Sequence, residues 1–266
     1  MIHLKGVKVC FNNVPLLKDI TFSVSPGERI SLLGPGGCGK TTILKMILGL
    51  LSPDEGSIEL MGHNILTMTS DTERRKVLRR VGMAFQQGAL FDFMTVRENL
   101  IFAMEHMTEF SKFEMDRRVK YFLDAVKIAR TEHQYSFELS GGMQRRVGIV
   151  RALATDPAAA FFDEPTAGLD PVTSTIILNM IRDLAAKSEG QALVIATSNV
   201  EMAIRFAERV VIINEGRVVA DGAWSKLLIE GPPWVQHFLG VRLIGLDEEY
   251  ARELNLPKQF VERHWR

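Results

Sequence analysis

Cysteine is scarce in this sequence, which has only Cys10 and Cys38 among its 266 residues. Two cysteines are too few for a disulfide framework, so we expect a protein of the reducing cytoplasm. The opening segment MIHLKGVKVC lacks the apolar core of a secretory signal peptide. No apolar run approaches the roughly 18 residues that span a bilayer, so any role at a membrane requires a separate transmembrane partner.

An excess of charge of one sign is also absent, because 32 Lys and Arg residues balance 32 Asp and Glu residues. The chain therefore has no global field that attracts nucleic acid or an acidic surface. The densest basic cluster, ERRKVLRR at 73–80, is open to phospholipid headgroups or nucleic acid. It has no interleaved aromatic residue for base stacking, so a solvated helix face is the better interpretation. We expect no nucleic-acid partner.

The hydrophobic pattern indicates two kinds of β-sheet in one α/β domain. Residues 20–24 alternate between apolar and polar, residues 57–60 repeat that pattern, and with residues 2–9 they predict an antiparallel sheet. Continuously apolar runs predict parallel strands covered on both faces, and these runs lie at 30–33, 158–162 and 192–196.

Helices and turns occupy the remaining segments. Met115, Val119, Phe122 and Val126 recur at helical spacing and predict a mostly helical insertion over about 92–155. Residues 210–222 predict a hairpin that turns near Glu215 and Gly216. A second amphipathic helix is predicted from Ile176, Ile177, Met180, Ile181 and Leu184, and GPPW at 231–234 interrupts the chain.

The segment GPGGCGKT at 34–41 directly follows the apolar strand 30–33 and opens a helix, which is the context of a phosphate-binding P-loop. Glycines allow successive backbone N–H groups to point at phosphate oxygens, and the helix N-terminus adds positive charge. Lys40 can reach the β- and γ-phosphates and the Thr41 hydroxyl can bind Mg²⁺. The alternative is a glycine-rich turn before a structural helix. The candidate nucleotide-binding residues are Gly34, Pro35, Gly36, Gly37, Cys38, Gly39, Lys40, Thr41 and Thr42, with no catalytic role for Cys38.

A second candidate element is AAAFFDEPTAGLD at 158–170. It predicts a buried strand that places Asp163 and Glu164 at its carboxyl end, where open α/β sheets bind ligands. Asp163 suits the Mg²⁺ shell, and Glu164 can polarise an attacking water as a general base. Acidic pairs at strand ends are common, so this element carries weight only together with the P-loop.

The segment LSGGMQRRV at 139–147, together with both elements above, resembles the ATP-binding subunit of an ABC transporter over residues 1 to about 240. The resemblance implies a three-layer P-loop NTPase core with a mostly parallel sheet. It also implies an antiparallel β-subdomain and an inserted helical subdomain at about 92–155.

The same resemblance implies that the site is completed in a dimer. Ser140, Gly141 and Gly142 offer a hydroxyl, bare amides and a helix dipole to an anion, which in the family is the γ-phosphate of ATP held by the opposite subunit. Gln144, in the same helix, is a further candidate contact. A simple helix N-cap is the alternative role for Ser140.

Three other positions take roles from the family. Phe11 matches the aromatic residue on which adenine stacks, although a core aromatic is the alternative. Gln86, rather than Gln87, matches the glutamine that joins the Mg²⁺ shell and relays nucleotide occupancy to the membrane subunit. Asp170 resembles the residue that couples the two sites of the dimer.

One position departs from the family. Where members have a histidine that contacts the γ-phosphate, ATSNV places Ser198. A serine can still donate a hydrogen bond but cannot become a cation, and the loss of one preorganised donor slows turnover about 10²- to 10³-fold. Hydrolysis at a reduced rate and a clamp that releases ATP slowly are both compatible with this residue.

The cargo is suggested by three segments that resemble ATPases of Mla-type lipid transporters, which work with MCE-domain proteins. They are QGALFDFMTVRENL, TAGLDPVTSTII and WVQHFLG. Amino-acid importers share much of the first segment, and a non-transport ABC complex is a further alternative. We expect a homodimer with transmembrane permease subunits on the inner face of the cell membrane, and an MCE-type protein as a further partner.

The last residues, 241–266, exceed what a minimal ATPase of this family needs. Leu246, Tyr250 and Leu254 are predicted to line one face of a short helix, and Phe260, Val261 and Trp265 follow. These side chains are too apolar to be left in water, so the tail is expected to dock on its own domain or on the twin subunit.

Overall fold

The computed structural model describes residues 1–86, 88–186, 190–244 and 254–264. These residues form two compact units. The first unit contains residues 1–25, 29–67 and the described residues from 195 onward, and the second contains 26–28 and the described residues of 68–194. The expectations for Gln87, Leu246, Tyr250 and Trp265 lie outside the described residues. Within the described ranges, no helix has the length and apolar character needed to cross a membrane.

The described strands and helices alternate along much of the chain. The strands are β1 (Ile2–Phe11), β2 (Val14–Val24), β3 (Arg29–Leu33), β4 (Glu55–Leu60), β5 (His63–Asn64), β6 (Val81–Ala84), β7 (Ala159–Asp163), β8 (Ala192–Thr197), β9 (Arg209–Asn214) and β10 (Arg217–Ala223). The helices are α1 (Lys40–Ile47), α2 (Asp71–Leu78), α3 (Val96–Met107), α4 (Lys112–Ala125), α5 (Gly141–Leu153), α6 (Pro171–Ala185), α7 (Val200–Phe206), α8 (Trp224–Glu230), α9 (Pro233–Ile244) and α10 (Lys258–His264).

The strands of the first unit lie in the order β5-β4-β1-β2-β10-β9-β3. β1 pairs antiparallel with both β2 and β4, as the alternating sequence patterns predict. Ile20, Phe22 and Val24 are buried and face one side of β2, because successive side chains of a strand point to opposite faces. β3, which is buried after its first residue, pairs parallel with β9. The predictions of an antiparallel sheet and of a buried parallel strand before the P-loop are both confirmed.

The predicted hairpin is formed by β9 and β10, with Asn214 opposite Arg217. The turn residues Glu215 and Gly216 have φ values of 47° and 75°. Two consecutive positive φ values give the turn a twist that matches the flanking strands. A Cβ on Gly216 would lie 2.3 Å from the carbonyl oxygen of Leu16, so only glycine fits here.

In the second unit, β6 and β7 pair in parallel, with Ala84 opposite Phe162. α5 packs closely on β6, since a Cβ on Gly82 would lie 1.9 Å from the carbonyl oxygen of Ala152. α3, α4 and α5, with short 3₁₀ turns at Ala129–Thr131 and Ser136–Glu138, form the segment where helices were predicted. The predicted apolar positions of α4 are buried, namely Met115, Val119 and Phe122, and so is Val126 at its C-terminal end.

α6 has the predicted amphipathic character with one correction. Ile177, Ile181 and Leu184 are buried, but Ile176 is 46% exposed and does not belong to the apolar face. Ile176 follows Val172, which is 71% exposed, by one turn of the helix. Both side chains therefore lie on the solvent side, because positions four apart share a face.

The described part of the tail packs on its own unit. Leu254, which lies in a turn, and Leu256 and Phe260 are buried in one cluster with residues of α8 and α9. The α8 and α9 members of that cluster are Trp224, Leu228, Val235, Leu239 and Leu243. Burial of each such side chain contributes about 1.5–3 kcal/mol, so this contact holds residues 254–260 on the first unit.

Candidate active site

The loop between β3 and α1 has the backbone that a phosphate cradle requires. Gly37 and Gly39 have φ values of 78° and 103°, a region that residues with a Cβ rarely adopt. Gly39 is the N-cap of α1 and brings no side chain to the first-turn N–H groups. The positive end of a helix at such an N-terminus favours the binding of an anion.

The glycines of this loop serve two different purposes. A Cβ on Gly34 would lie 2.1 Å from the carbonyl oxygen of Ile213, and one on Gly39 would lie 2.5 Å from Leu17 Cδ2. At Gly36 and Gly37 an added Cβ would have no described atom within 4 Å beyond its own chain neighbours. The outer glycines therefore allow close packing, and the inner two present bare backbone to open space, which fits a phosphate group.

Lys40 lies over this loop. Its side chain is 6% exposed, and its Nζ donates to the carbonyl oxygens of Gly34 at 2.9 Å and Pro35 at 3.0 Å. Cys38 Sγ is 3.9 Å from the same nitrogen. Burial raises the pKa of the Cys38 thiol, an effect that the Lys40 charge partly opposes. Cys38 is thus a neutral thiol that fills the loop, and the cation of the site is Lys40.

Thr41 and Phe11, two further candidates of the first unit, face solvent. Thr41, in the first turn of α1, is exposed, and its hydroxyl is the kind of oxygen ligand that Mg²⁺ prefers. Thr42 is half-buried. Phe11, the last residue of β1, is 47% exposed opposite Val14, which is 66% exposed. Phe11 is therefore an accessible aromatic face rather than a core residue.

The TSN turn that follows β8 uses its three polar side chains differently. Thr197 is fully buried, and its Oγ1 accepts a hydrogen bond from the Asn199 N–H at 3.1 Å. Asn199 is the N-cap of α7, and its Oδ1 accepts from the Met202 N–H at 3.1 Å. Ser198, between them, is half-buried. Thr197 and Asn199 are thus engaged in forming the turn and the helix start.

In the second unit, the acidic pair stands at the end of β7. Asp163 is the last residue of the strand and is 4% exposed. Glu164 is half-buried and has φ of 45°, which is uncommon for a residue with a Cβ. Such backbone strain costs on the order of 1–3 kcal/mol and concentrates at functional sites.

Gln86 lies at the same edge of the β6–β7 pair as Asp163. Because Ala84 is opposite Phe162 in parallel register, Gln86 and the acidic pair both follow the carboxyl ends of these strands. Gln86 is exposed. Nowhere in the described residues do three or more His, Cys, Asp or Glu side chains group closely enough to hold a metal ion. The oxygen donors of Gln86 and Asp163 are nevertheless the type that Mg²⁺ prefers.

Ser140 is the N-cap of α5, and its hydroxyl accepts a hydrogen bond from the Met143 N–H at 3.4 Å. Ser140 and Gly141 are exposed, and an added Cβ on Gly141 or Gly142 would meet no described atom within 4 Å. The N-cap role that was the alternative for Ser140 is confirmed, and the helix start remains accessible. Gln144 instead donates its Nε2 to the Ser136 carbonyl oxygen at 2.8 Å, which directs that nitrogen into its own unit.

Asp170 caps α6 and is exposed. Its Oδ1 accepts from the Thr173 N–H at 2.9 Å, and hydrogen bonds from Thr173 hold the pKa of the Asp170 carboxyl below its usual value. Sequence reasoning missed Asn99, which is fully buried and bonds to several segments of this unit. An asparagine in an apolar helical pattern indicates a need for buried partners, but the pattern does not identify those partners.

Comparison with known proteins places these features in a family. Residues 17–167 match the family described as ABC transporter. This chain belongs to that family. A protein of Arabidopsis thaliana named TRIGALACTOSYLDIACYLGLYCEROL 3, chloroplastic, is 33% identical over 90% of this chain and 73% of its own length. The glutamine transport ATP-binding protein GlnQ of Escherichia coli is 36% identical over 88% of this chain and 95% of its own length.

Solved structures agree with the assignment of this ABC ATPase. The ATP-binding cassette MJ0796, solved as a dimer in a post-hydrolysis state with ADP and Pi, is 30% identical with a TM-score of 0.77. That match covers 84% of this chain and 98% of the cassette. The predicted α/β P-loop NTPase fold is therefore confirmed as the fold of an ABC cassette.

Proposed function

We propose that this chain is the subunit of an ABC transporter that binds and hydrolyses ATP in a dimer and thereby drives a transmembrane permease. The observation that carries the proposal is the bare, open backbone at Gly36 and Gly37, with the nearly buried Lys40 folded over the same loop. The relative MJ0796 was solved as a dimer with ADP and Pi, which supports both the nucleotide and the pairing.

The main candidate residues have separate tasks in this proposal. The loop amides and Lys40 bind the phosphates, and Phe11 stacks on the adenine. Thr41, Asp163 and Gln86 would hold Mg²⁺, which would neutralise charge on the phosphates. Glu164 orients and polarises the attacking water. Ser140 and the first amides of α5 bind the γ-phosphate held by the second copy, and Asp170 couples the two sites.

The nucleotide part is tested on the purified chain. With magnesium, a fluorescent ATP analogue should bind saturably, and the specific rate of hydrolysis should rise with protein concentration because two copies form each site. Absence of saturable binding would overturn the proposal. A specific rate independent of concentration, in protein that is monomeric at every concentration assayed, would overturn its dimer part.

Ser198 sets the expected rate. We propose that hydrolysis persists but is slow, because Lys40, Thr41, Asp163 and Glu164 are all present while the half-buried Ser198 cannot become a cation. The second candidate is a clamp in which ATP drives closure and is released slowly. A small gain for Ser198→His over measurable wild-type turnover favours the first. A gain of about 10²- to 10³-fold from near-zero turnover favours the clamp.

For the cargo we propose a lipid. The segments QGALFDFMTVRENL, TAGLDPVTSTII and WVQHFLG support this, and one relative bears the name of a galactolipid. The second candidate is a small polar solute, supported by GlnQ and by the taurine import ATP-binding protein TauB of Roseobacter denitrificans, which is 39% identical over 74% of its own length.

Affinity purification of the chain from its native membrane separates these cargoes. A permease that copurifies with an MCE-domain protein and bound phospholipid supports lipid transport at the inner face of the membrane. A permease that copurifies with a solute-binding protein supports import and would overturn the lipid proposal.

A further inference from the structure

Asn99 is the centre of a buried polar cluster in the second unit. It lies in the first turn of α3 and has no exposed surface. Its Oδ1 accepts a hydrogen bond from the Phe91 N–H at 2.9 Å. Its Nδ2 lies within donating distance of four acceptors: the carbonyl oxygens of Phe91 at 3.1 Å, Met94 at 3.3 Å and Thr95 at 3.1 Å, and Ser136 Oγ at 3.1 Å.

An amide nitrogen has two N–H groups, so four acceptors at these distances must share them. Removal of the side chain would leave the Phe91 N–H and several acceptors, among them the hydroxyl of the fully buried Ser136, without this partner, which is costly where water is excluded. Asn99 therefore fixes the positions of these groups relative to one another. It does so from a rigid helix whose N-terminus carries a complete capping box at Thr95 and Glu98.

The cluster joins two segments that lie next to residues with a task in the proposed function, namely Gln86 and Ser140. One is the described part of the loop that follows Gln86, residues 88–95, which includes Phe91 and Met94. The other is the turn before α5, where Ser136 is fully buried and its N–H donates to the Met94 carbonyl oxygen at 3.3 Å. The two segments also meet in an isolated bridge between Thr95 and Tyr135.

From Ser136 the connection continues to the start of α5. The Ser136 carbonyl oxygen accepts from Gln144 Nε2 at 2.8 Å. Gln144 follows Ser140 by one helical turn, and its N–H donates to the Ser140 carbonyl oxygen at 2.9 Å. The hydrogen bonds thus run from Asn99 through Ser136 and Gln144 to the residue that caps α5.

α5 and the loop after Gln86 are also in direct contact. Arg151 donates to the Gly88 carbonyl oxygen at 3.1 Å. A Cβ on Gly148 would lie 2.9 Å from the Gly88 Cα, which shows how closely the two backbones approach. The loop is therefore connected to α5 by two sets of contacts, one at Gly88 and one through Asn99.

We propose that Asn99 is a positioning residue for hydrolysis: it holds Ser140 in fixed register with the loop that follows Gln86. The inference rests on the proposed function, because it assigns Ser140 to the γ-phosphate. Asn99 itself touches no nucleotide. Its loss misplaces Ser140 and impairs the catalytic step, while binding at the P-loop is retained.

The test compares Asn99→Ala and Ser136→Ala with wild type in the full chain. We expect kcat to fall about 10- to 100-fold in Asn99→Ala, since a displacement of about 1 Å at a reacting group has effects of that size. The affinity for a fluorescent ATP analogue should not change. Thr131→Val is the matched control, because Thr131 is a nearly buried hydroxyl of the same unit that donates to Ile128 at 2.7 Å.

A second background separates positioning from general loss of stability. If Asn99 acts through Ser140, then Asn99→Ala causes no further fall in kcat when Ser140→Ala is already present. Equal falls in both backgrounds would overturn the inference. So would an unchanged kcat in Asn99→Ala.

Two measurements cover a failure of Asn99→Ala to fold. Ser136→Ala removes one oxygen with little change in volume, and it should lower kcat in the same direction. Hydrogen exchange of residues 141–145 should be faster in Ser136→Ala than in Thr131→Val, and equal exchange would overturn the inference. Absence of ATP turnover by wild type would instead refute the proposed function, and unaltered kcat in both variants beside an active wild type refutes this inference alone.

Discussion

The N-termini of α1 and α5 are capped in two different ways. Each helix begins at a glycine-rich segment, and each must leave first-turn N–H groups accessible if it is to bind an anion. α1 is capped by Gly39, which has φ of 103° and no side chain. α5 is capped by Ser140, whose hydroxyl accepts the Met143 N–H at 3.4 Å.

This difference indicates how the two starts divide the work. Nothing at position 39 competes with a phosphate for the N–H groups of α1. At α5 the Ser140 hydroxyl holds one N–H through a long hydrogen bond and can also reach an anion. The two helix starts therefore differ in whether a side chain of the protein itself occupies a first-turn N–H group.

The largest expected effect is that of Lys40→Ala on ATP turnover. The variant removes the only cation that the sequence motif assigns to the phosphates, so turnover should fall at least about 100-fold. Lys45→Ala is the matched control, because Lys45 is an exposed lysine in the last turn of the same helix. Equal turnover by the two variants would show that the Lys40 side chain does not bind the phosphates.

Second, Gly39→Ala should destabilise the protein by about 1–3 kcal/mol. The reason is that φ of 103° and a contact of 2.5 Å with Leu17 Cδ2 both oppose a Cβ. Gly36→Ala, where an added Cβ meets no described atom within 4 Å, should keep its stability yet weaken ATP binding. Denaturant unfolding and nucleotide titration measure the two effects. Similar unfolding curves for both variants would contradict the assigned roles.

Third, two substitutions at Ser140 separate capping from catalysis. Ser140→Ala should cost about 1 kcal/mol of stability through loss of the cap, and Ser140→Asp should retain it because aspartate is a good N-cap. Both should lower kcat, the second because its negative charge repels a phosphate. If Ser140→Asp hydrolysed ATP at the wild-type rate, Ser140 would be a structural cap alone.

The smallest expected effect concerns Cys38 and pH. Burial raises the pKa of this thiol above its ordinary value of 9.0, so the unfolded chain loses the proton first as pH rises. The folded state is therefore favoured fully below that value, and stability falls at higher pH by at most about 1.4 kcal/mol per pH unit. In Cys38→Ala this component of the decline should be absent. Parallel pH profiles of unfolding would contradict it.

Much of the fold followed from local patterns. The alternation at Ile20, Phe22 and Val24 and the apolar run of β3 identified strands correctly. The spacing of apolar residues along a strand directly reflects which of its faces are buried. The turn at Glu215 and Gly216 was also predicted correctly, because a short glycine-containing segment between two apolar runs is a local signal of a hairpin. The prediction that Ile176 belongs to the buried face of α6 was wrong, because helical spacing alone does not decide which edge of an apolar stripe contacts the core.

Parts of the candidate site were beyond local patterns. The P-loop motif predicts the same role for all of its glycines. In the fold, Gly34 and Gly39 have close neighbours, whereas Gly36 and Gly37 face open space. Asn99 was missed because its partners at Phe91 and Ser136 are 8 and 37 residues away. A hydrogen-bonded cluster of that kind has no signature at fixed spacing.

The sequence by itself determined the chemistry: which loop offers amides and Lys40, which strand ends in Asp163 and Glu164, and which family the chain resembles. Those features depend on residues that are neighbours along the chain, where backbone geometry fixes their relation. Only the tertiary structure decided which groups are open to a ligand and that Asn99 connects the loop after Gln86 to the start of α5. Accessibility and burial arise from contacts between distant segments, and these form only when the chain folds.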